Sequence, residues 1–169
     1  MVRGCLLDTN IITYWFHGQC KQHDRVTLKI NSLPPETPLR ISVITWGEIQ
    51  YGHQIESKEP TPIQIKFAEF VQDRFPRVLE IGEPTTTYYG ELRARLFKKY
   101  RPESKRKKGR WPEELVDPTT GKELGIQEND LWISAQAVEY NLTLVTHDRM
   151  ERIRRIADDL VVEDWASPG

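Results

Sequence analysis

Four carboxylates, Asp8, Glu48, Asp130 and Asp148, stand at four separated points of the chain, each where an apolar stretch gives way to an expected helix start. In an open α/β sheet the residues just past the carboxyl ends of the strands share one rim, so acids distant in sequence can meet in a single cleft. Ionised carboxylates crowded together repel one another, and a partly dry cleft relieves that repulsion by taking up protons or a hard cation with oxygen ligands. Carboxylates suit Mg²⁺ or Mn²⁺, and such ions orient a water, lower its pKa and stabilise the leaving oxygen of an in-line displacement at phosphorus. Each acid also has a plainer reading. Asp8 after Gly4–Leu7 and Asp148 after Leu142–Thr146 can cap the helix that follows, Glu48 lies at capping-box spacing from Thr45, and Asp130, behind Asn129, can open a helix over 131–138. The positive end of a helix dipole favours acids at a site as well, so the two readings overlap.

The elements that must position these acids alternate along the chain. Short runs rich in Leu, Ile and Val at 3–7, 40–44, 77–81, 142–146 and 159–163 read as buried parallel strands. Between them, apolar faces recur at helical spacing: Val26, Ile30 and Leu33; Trp46, Ile49 and Ile55; Ile63, Phe67, Phe70 and Val71; Tyr89, Leu92, Leu96 and Tyr100. Residues 130–140 and 149–157 supply two further helices. Strands alternating with helices predict an α/β fold, a mainly parallel sheet covered on both faces. The 169 residues fit one domain, with no internal repeat and no second domain.

Charge is unevenly distributed. Residues 98–110 hold Lys98, Lys99, Arg101, Lys105, Arg106, Lys107, Lys108 and Arg110 against the single acid Glu103, a net +7, so the remainder carries −8 of the formal total of −1. An acidic body with one basic strip predicts a polyanion track beside a cation-binding cleft; the alternative is a solvated loop without a ligand. The turn-rich continuation from Trp111 to Lys122 reads as an irregular excursion, with Trp111 either stacking on a base or anchoring the loop. The histidines, His17, His23, His53 and His147, show no paired zinc spacing, and His147 reads as a surface or capping residue rather than a general base. Cys5 reads as a buried small hydrophobe and Cys20 as a loop residue, with no disulfide framework. Hydrophobic residues make up 38% and charged residues 29%, and no apolar run approaches a membrane span. Asp8 interrupts the first apolar run too early for a secretory leader, so the expected location is cytoplasmic.

Four segments together resemble a known family. Leu6-Leu7-Asp8-Thr9-Asn10, Ser42-Val43-Ile44-Thr45-Trp46-Gly47-Glu48, Asn129-Asp130-Leu131-Trp132-Ile133-Ser134-Ala135 and Leu144-Val145-Thr146-His147-Asp148 are similar, in order and spacing, to the acidic motifs of PIN-domain ribonucleases. With the ending Leu160-Val161-Val162-Glu163-Asp164-Trp165, the chain most resembles VapC-type toxins of type II toxin–antitoxin modules. The resemblance implies a PIN-like three-layer α/β/α sandwich and a Mg²⁺- or Mn²⁺-dependent endoribonuclease. It further implies a homodimer held inactive by a VapB-type antitoxin. It assigns Asp8, Glu48, Asp130 and Asp148 as metal-binding and catalytic acids, and Thr9, Asn10, Thr45 and Thr146 as neighbours that orient water or carboxylates.

Two departures accompany it. Many relatives carry an Asn-x-x-x-Phe pattern after the final Thr, where this chain has Thr146-His147-Asp148-Arg149 and no Phe four residues on, and the excursion at about 98–126 is longer than in compact relatives. Glu128 reads as an exposed acid rather than an extra ligand. Two other classes compete: a non-catalytic RNA-binding or interaction module whose acids only cap helices, and a haloacid-dehalogenase-like phosphatase. The phosphatase wants a second Asp where this chain has Asn10.

Overall fold

A computed structural model describes residues 2–56, 59–100 and 111–168. Its centre is a four-stranded, all-parallel sheet of β1 (Cys5–Leu7), β2 (Leu39–Ile41), β3 (Thr143–Val145) and β4 (Val161–Glu163), in the order β2-β1-β3-β4. Residues in β1 register directly with both neighbours, Leu6 opposite Arg40 on one side and Leu144 on the other. Alternate strand residues enter opposite cores, as the two-residue period of a strand requires. Leu6 and Leu144 join Leu92, Leu96, Leu131 and Ile153 on one face; Cys5, Leu7, Ile41 and Val145 join Ile11, Ile12, Val26, Ile49 and Phe67 on the other. Both faces are therefore covered at the centre of the sheet, where β1 is apolar and buried throughout, while the outer strands β2 and β4 carry the exposed Arg40 and Glu163.

The first face is covered by α5 (Glu83–Tyr100), α6 (Glu128–Glu139) and α7 (Glu151–Arg154). The second is covered by α1 (Thr9–Phe16), α2 (Lys21–Ser32), α3 (Val43–Glu56) and α4 (Pro62–Arg74). From β1 the chain passes through α1 and α2 to β2 on one side, and only after four more helices returns as β3 on the other side of β1. The order of connection thus reverses between β1 and β3. In open parallel sheets the crevice outside the carboxyl ends of strands at such a reversal is where ligands bind. Asp8 follows β1 directly, and Asp148 lies three residues past β3.

Several expected elements change on folding. The run 77–81 forms no strand of the sheet: Leu79 alone makes an isolated parallel bridge to Ser42, donating to Ile41 O and accepting from Val43 N. The run 40–44 ends as strand at Ile41, because the Ser42 hydroxyl accepts from Ile44 N and starts α3 there. Residues 149–157 give a single turn of α-helix. Ile55 and Ile63 point outward and are exposed, while Tyr89, Leu92, Leu96 and Tyr100 are all buried as their spacing predicts. Lys98 and Lys99 belong to the last turn of α5 and are not part of the irregular excursion, which gives way to α6 at Glu128 and is anchored at two of its residues, Leu115 and Ile126, both buried in the core. Arg101, Lys105, Arg106, Lys107, Lys108 and Arg110 lie outside the described residues. Cys5 is buried as a small hydrophobe, its thiol pushed up to about 11 by burial. No helix of the described residues is long and apolar enough to cross a membrane.

Candidate active site

The acids converge on the rim beyond β1 and β3. Asp8 caps α1, one carboxylate oxygen accepting from Thr9 N at 2.7 Å, and is only 6% exposed. Its other oxygen accepts from the Thr146 hydroxyl at 2.7 Å and lies 3.3 Å from Asn10 Nδ2. Thr146 is fully buried at the end of β3, and its single hydroxyl is used to capacity: it donates to Asp8 and accepts from Asp148 N at 3.1 Å and Asn10 Nδ2 at 3.2 Å. Asn10 Nδ2 also reaches Asp148 Oδ2 at 3.2 Å, and its Oδ1 accepts from His147 N at 3.1 Å. That last bond fixes which way the amide faces. Asp8, Asn10, Thr146 and Asp148 form one hydrogen-bonded unit across the switch point.

The other two acids come from helices. Glu48 is not a capping-box residue, because α3 begins at Val43 under the Ser42 cap, which places Glu48 well inside the helix. One of its oxygens accepts from the Thr9 hydroxyl, and the other accepts from Asn129 Nδ2 at 2.8 Å. Asp130 sits in the first turn of α6, where its Oδ2 accepts from Gln127 N at 3.0 Å, so capping and site position coexist in this residue. Asp148 is no cap, since α7 starts three residues later behind Met150.

The electrostatics report the crowding. Burial raises the Asp8 pKa, Thr146 and Thr9 N pull it down, and the charges of Glu48 and Asp148 push it up again. Asp130 is pushed up to about 6, first by burial, then by Asp8, Asp148 and Glu48 together, against the opposing bond from Gln127 N. Asp8 therefore feels Glu48 and Asp148, and Asp130 feels the other three acids. Among the described residues no three carboxylates, imidazoles or thiols close on one point as a complete ligand cage. The chemistry of the donors suits Mg²⁺ or Mn²⁺, since carboxylates are hard oxygen ligands and these ions bind through one or two of them while keeping several waters. Asp8, Glu48, Asp130 and Asp148 are the residues that would hold such an ion.

Three outcomes differ from the sequence reading. Thr45 is buried, and among the described residues its hydroxyl has no hydrogen-bond partner, so it contacts none of the acids. Asn129, absent from the expected neighbours, holds Glu48; its only sequence signal was its place beside Asp130. Glu128 is neither exposed acid nor ligand. It accepts from the Tyr89 hydroxyl and pairs with Arg93 at 3.1 Å, locking α6 to α5. His147 is a surface residue as expected, its Nδ1 3.0 Å from Asp164 and its ring edge-on to Tyr14. Trp111 is half-exposed and lies against the Arg93 guanidinium.

An all-parallel sheet between two helical layers, with acids gathered at its switch point, is the architecture of a nuclease-like α/β domain. The sequence matches the PIN domain family over residues 5–159, and the chain belongs to that family. It is 30% identical to ribonuclease VapC2 of Rickettsia felis over 160 residues, covering 95% of this chain and 96% of the relative. Identity to ribonuclease VapC1 of Haemophilus influenzae is 28% over 163 residues, again with 95% and 96% covered. Among solved structures, VapBC2 from Rickettsia felis bound to a promoter DNA fragment superposes with a TM-score of 0.67 at 26% identity, covering 98% of this chain and 99% of that one. VapBC-1 from nontypeable Haemophilus influenzae gives 0.65 at 27%, covering 99% and 100%. Membership of the PIN family sets the dehalogenase-like reading aside.

Proposed function

We propose that this protein is a metal-dependent endoribonuclease acting in the cytoplasm as the toxin of a VapBC-type module, a homodimer restrained by a VapB-type antitoxin. The observation that carries the reading is the convergence of Asp8, Glu48, Asp130 and Asp148 from four segments onto one rim, where burial first and the charges of the other three acids second raise Asp130 to about 6. The full-length likeness to relatives named ribonuclease VapC and to VapBC complexes supports the substrate class and the partner. Mg²⁺ or Mn²⁺ bound there supplies water activation and charge stabilisation at phosphorus.

The chain's own residues do the positioning. Thr146 and Asn10 hold Asp8 and Asp148 in fixed orientation across the switch point, and Thr9 and Asn129 hold both oxygens of Glu48. Thr45, a buried residue of α3, has no hydrogen bond to the acids among the described residues. Asp130 accepts only from Gln127 N, and burial together with the charges of the other three acids raises its pKa to about 6, so a cation at the rim would compete with its proton. An antitoxin side chain of Arg or Lys entering the rim competes for the same carboxylates, which gives inhibition a direct electrostatic basis.

The test is cleavage of end-labelled single-stranded RNA by purified protein in Mg²⁺, in Mn²⁺ and in EDTA, beside the Asp130→Asn variant. Cleavage confined to the wild type with added metal is expected. RNA that stays intact under all conditions, while the protein still binds it, would favour the non-catalytic RNA-binding module.

A further inference from the structure

Beside the acids, on the Asp130 and Asp148 side, lies a depression of about 370 Å³ whose use the catalytic residues do not explain. Gly125, Ile126 and Gln127 form one wall, and Arg149, Met150 and Ile153 the other. Two cations face it. Arg152 is already engaged, 2.7 Å from Asp117 and over the Tyr100 ring. Arg149 is exposed and makes no ion pair or hydrogen bond among the described residues. The backbone beside it is unusual: Met150 adopts a left-handed conformation at φ 45° and ψ 25°. For a non-glycine residue that conformation is strained, and such strain clusters at binding sites.

We propose that this depression is a nucleotide subsite for the RNA strand, in which Arg149 holds a phosphate flanking the scissile bond. The proposal rests on the ribonuclease reading and adds a position and a residue to it. The chemistry follows from charge. A rim of four carboxylates repels RNA, and a cation at the centre of the acids serves the scissile phosphate rather than its neighbours. The neighbouring phosphate needs its own positive partner, and a guanidinium offers two parallel donors to phosphate oxygens. Arg149 follows Asp148 immediately and lines the same depression as Asp148 and Asp130, so a strand lying in the depression meets both the acids and the guanidinium. Ile126 and Met150 supply apolar surface on the two sides for the ribose or base, and the Gln127 amide a polar edge. Arg149 acts through substrate position and touches no reacting atom.

The experiment measures binding of a short fluorescein-labelled single-stranded oligoribonucleotide by anisotropy in EDTA, across a salt series, for wild type, Arg149→Ala, Arg149→Lys and Arg149→Glu. Steady-state cleavage in Mn²⁺ accompanies it. Loss of one phosphate contact predicts roughly ten-fold weaker binding for Arg149→Ala and a salt slope flatter by about 0.7. Arg149→Glu is weaker still, and Arg149→Lys recovers much of the loss. In cleavage the effect falls on KM, with kcat at saturating RNA changed by less than about three-fold. Unchanged affinity and salt slope in Arg149→Ala overturn the subsite, as does a wild type that binds no oligoribonucleotide. Binding that depends on Arg149 in a protein that cleaves nothing in any metal leaves the subsite standing and overturns the ribonuclease reading instead. Circular dichroism of each variant confirms that it is folded, and an unfolded Arg149→Ala leaves Arg149→Lys and Arg149→Glu to decide.

Discussion

The rim has two halves, built differently. In the strand half, Asp8 and Asp148 follow β1 and β3 and are tied to one another through Thr146 and Asn10, Asp8 accepting from Thr9 N, Thr146 and Asn10, and Asp148 from Asn10. In the helix half, Glu48 and Asp130 are carried by α3 and α6. Glu48 is gripped at both oxygens, whereas Asp130 has only the Gln127 amide and rises to about 6. Strand ends at a switch point are rigid and fix geometry. The helix start leaves one acid under-compensated, and that acid gains most from a cation. The halves divide the work: one sets position, the other stores electrostatic strain.

The largest expected effect is on catalysis and does not distinguish the halves. Asp8→Asn and Asp130→Asn each lower RNA cleavage by at least about 100-fold, since loss even of outer partners at metal sites costs 10–100-fold. Either variant retaining more than about a tenth of wild-type activity removes its residue from the site.

Stability separates them. Thr146→Val leaves the Asp8 oxygen and the Asp148 amide without their shared partner, a loss of about 2 kcal/mol in chemical unfolding, while Thr146→Ser restores most of it. Asp130→Asn goes the other way. A carboxylate whose folded pKa is raised favours the folded state while protonated, so its contribution is full below about pH 4 and is lost as pH rises through about 6. Metal-free wild type is therefore less stable at pH 7 than at pH 4 by on the order of 2 kcal/mol from this group. Asp130→Asn removes that loss while its side-chain oxygen still accepts from Gln127 N. Equal pH profiles for the two proteins would show that the strain resides elsewhere. The smallest effect belongs to Asn129→Ala, which frees one Glu48 oxygen and lowers cleavage by about ten-fold, with little change in melting temperature.

These residues also show what a sequence can and cannot reveal. Asp8, Thr146 and Asp148 were legible because strand ends announce themselves: an apolar run stops at a polar residue, and parallel order puts the ends on one rim. The place of Glu48 inside α3 and its bond from Asn129 were not, because Ser42 starts α3 earlier than the Thr45 spacing suggested, and the two side chains that meet are 81 residues apart. Glu128 failed as an exposed acid for the same reason; its partners Tyr89 and Arg93 lie on α5 and are brought to it only by helix packing. The run 77–81 looks like a strand locally, yet Leu79 alone bridges the sheet edge while Val78 packs into the second core. Thr45 matched a motif position but points into the core, where spacing gives no information about side-chain direction.

The central claim, that these four acids bind a divalent cation, is tested most directly by titrating Mn²⁺ into the purified protein at pH 7 and following its melting temperature. A ligand that binds only the folded state raises stability by RT ln(1 + [L]/Kd), so the wild type should melt progressively higher as Mn²⁺ increases. Asp8→Asn and Asp130→Asn should show little or none of that rise. A wild type indifferent to Mn²⁺, or variants that respond as fully as it does, would contradict the account.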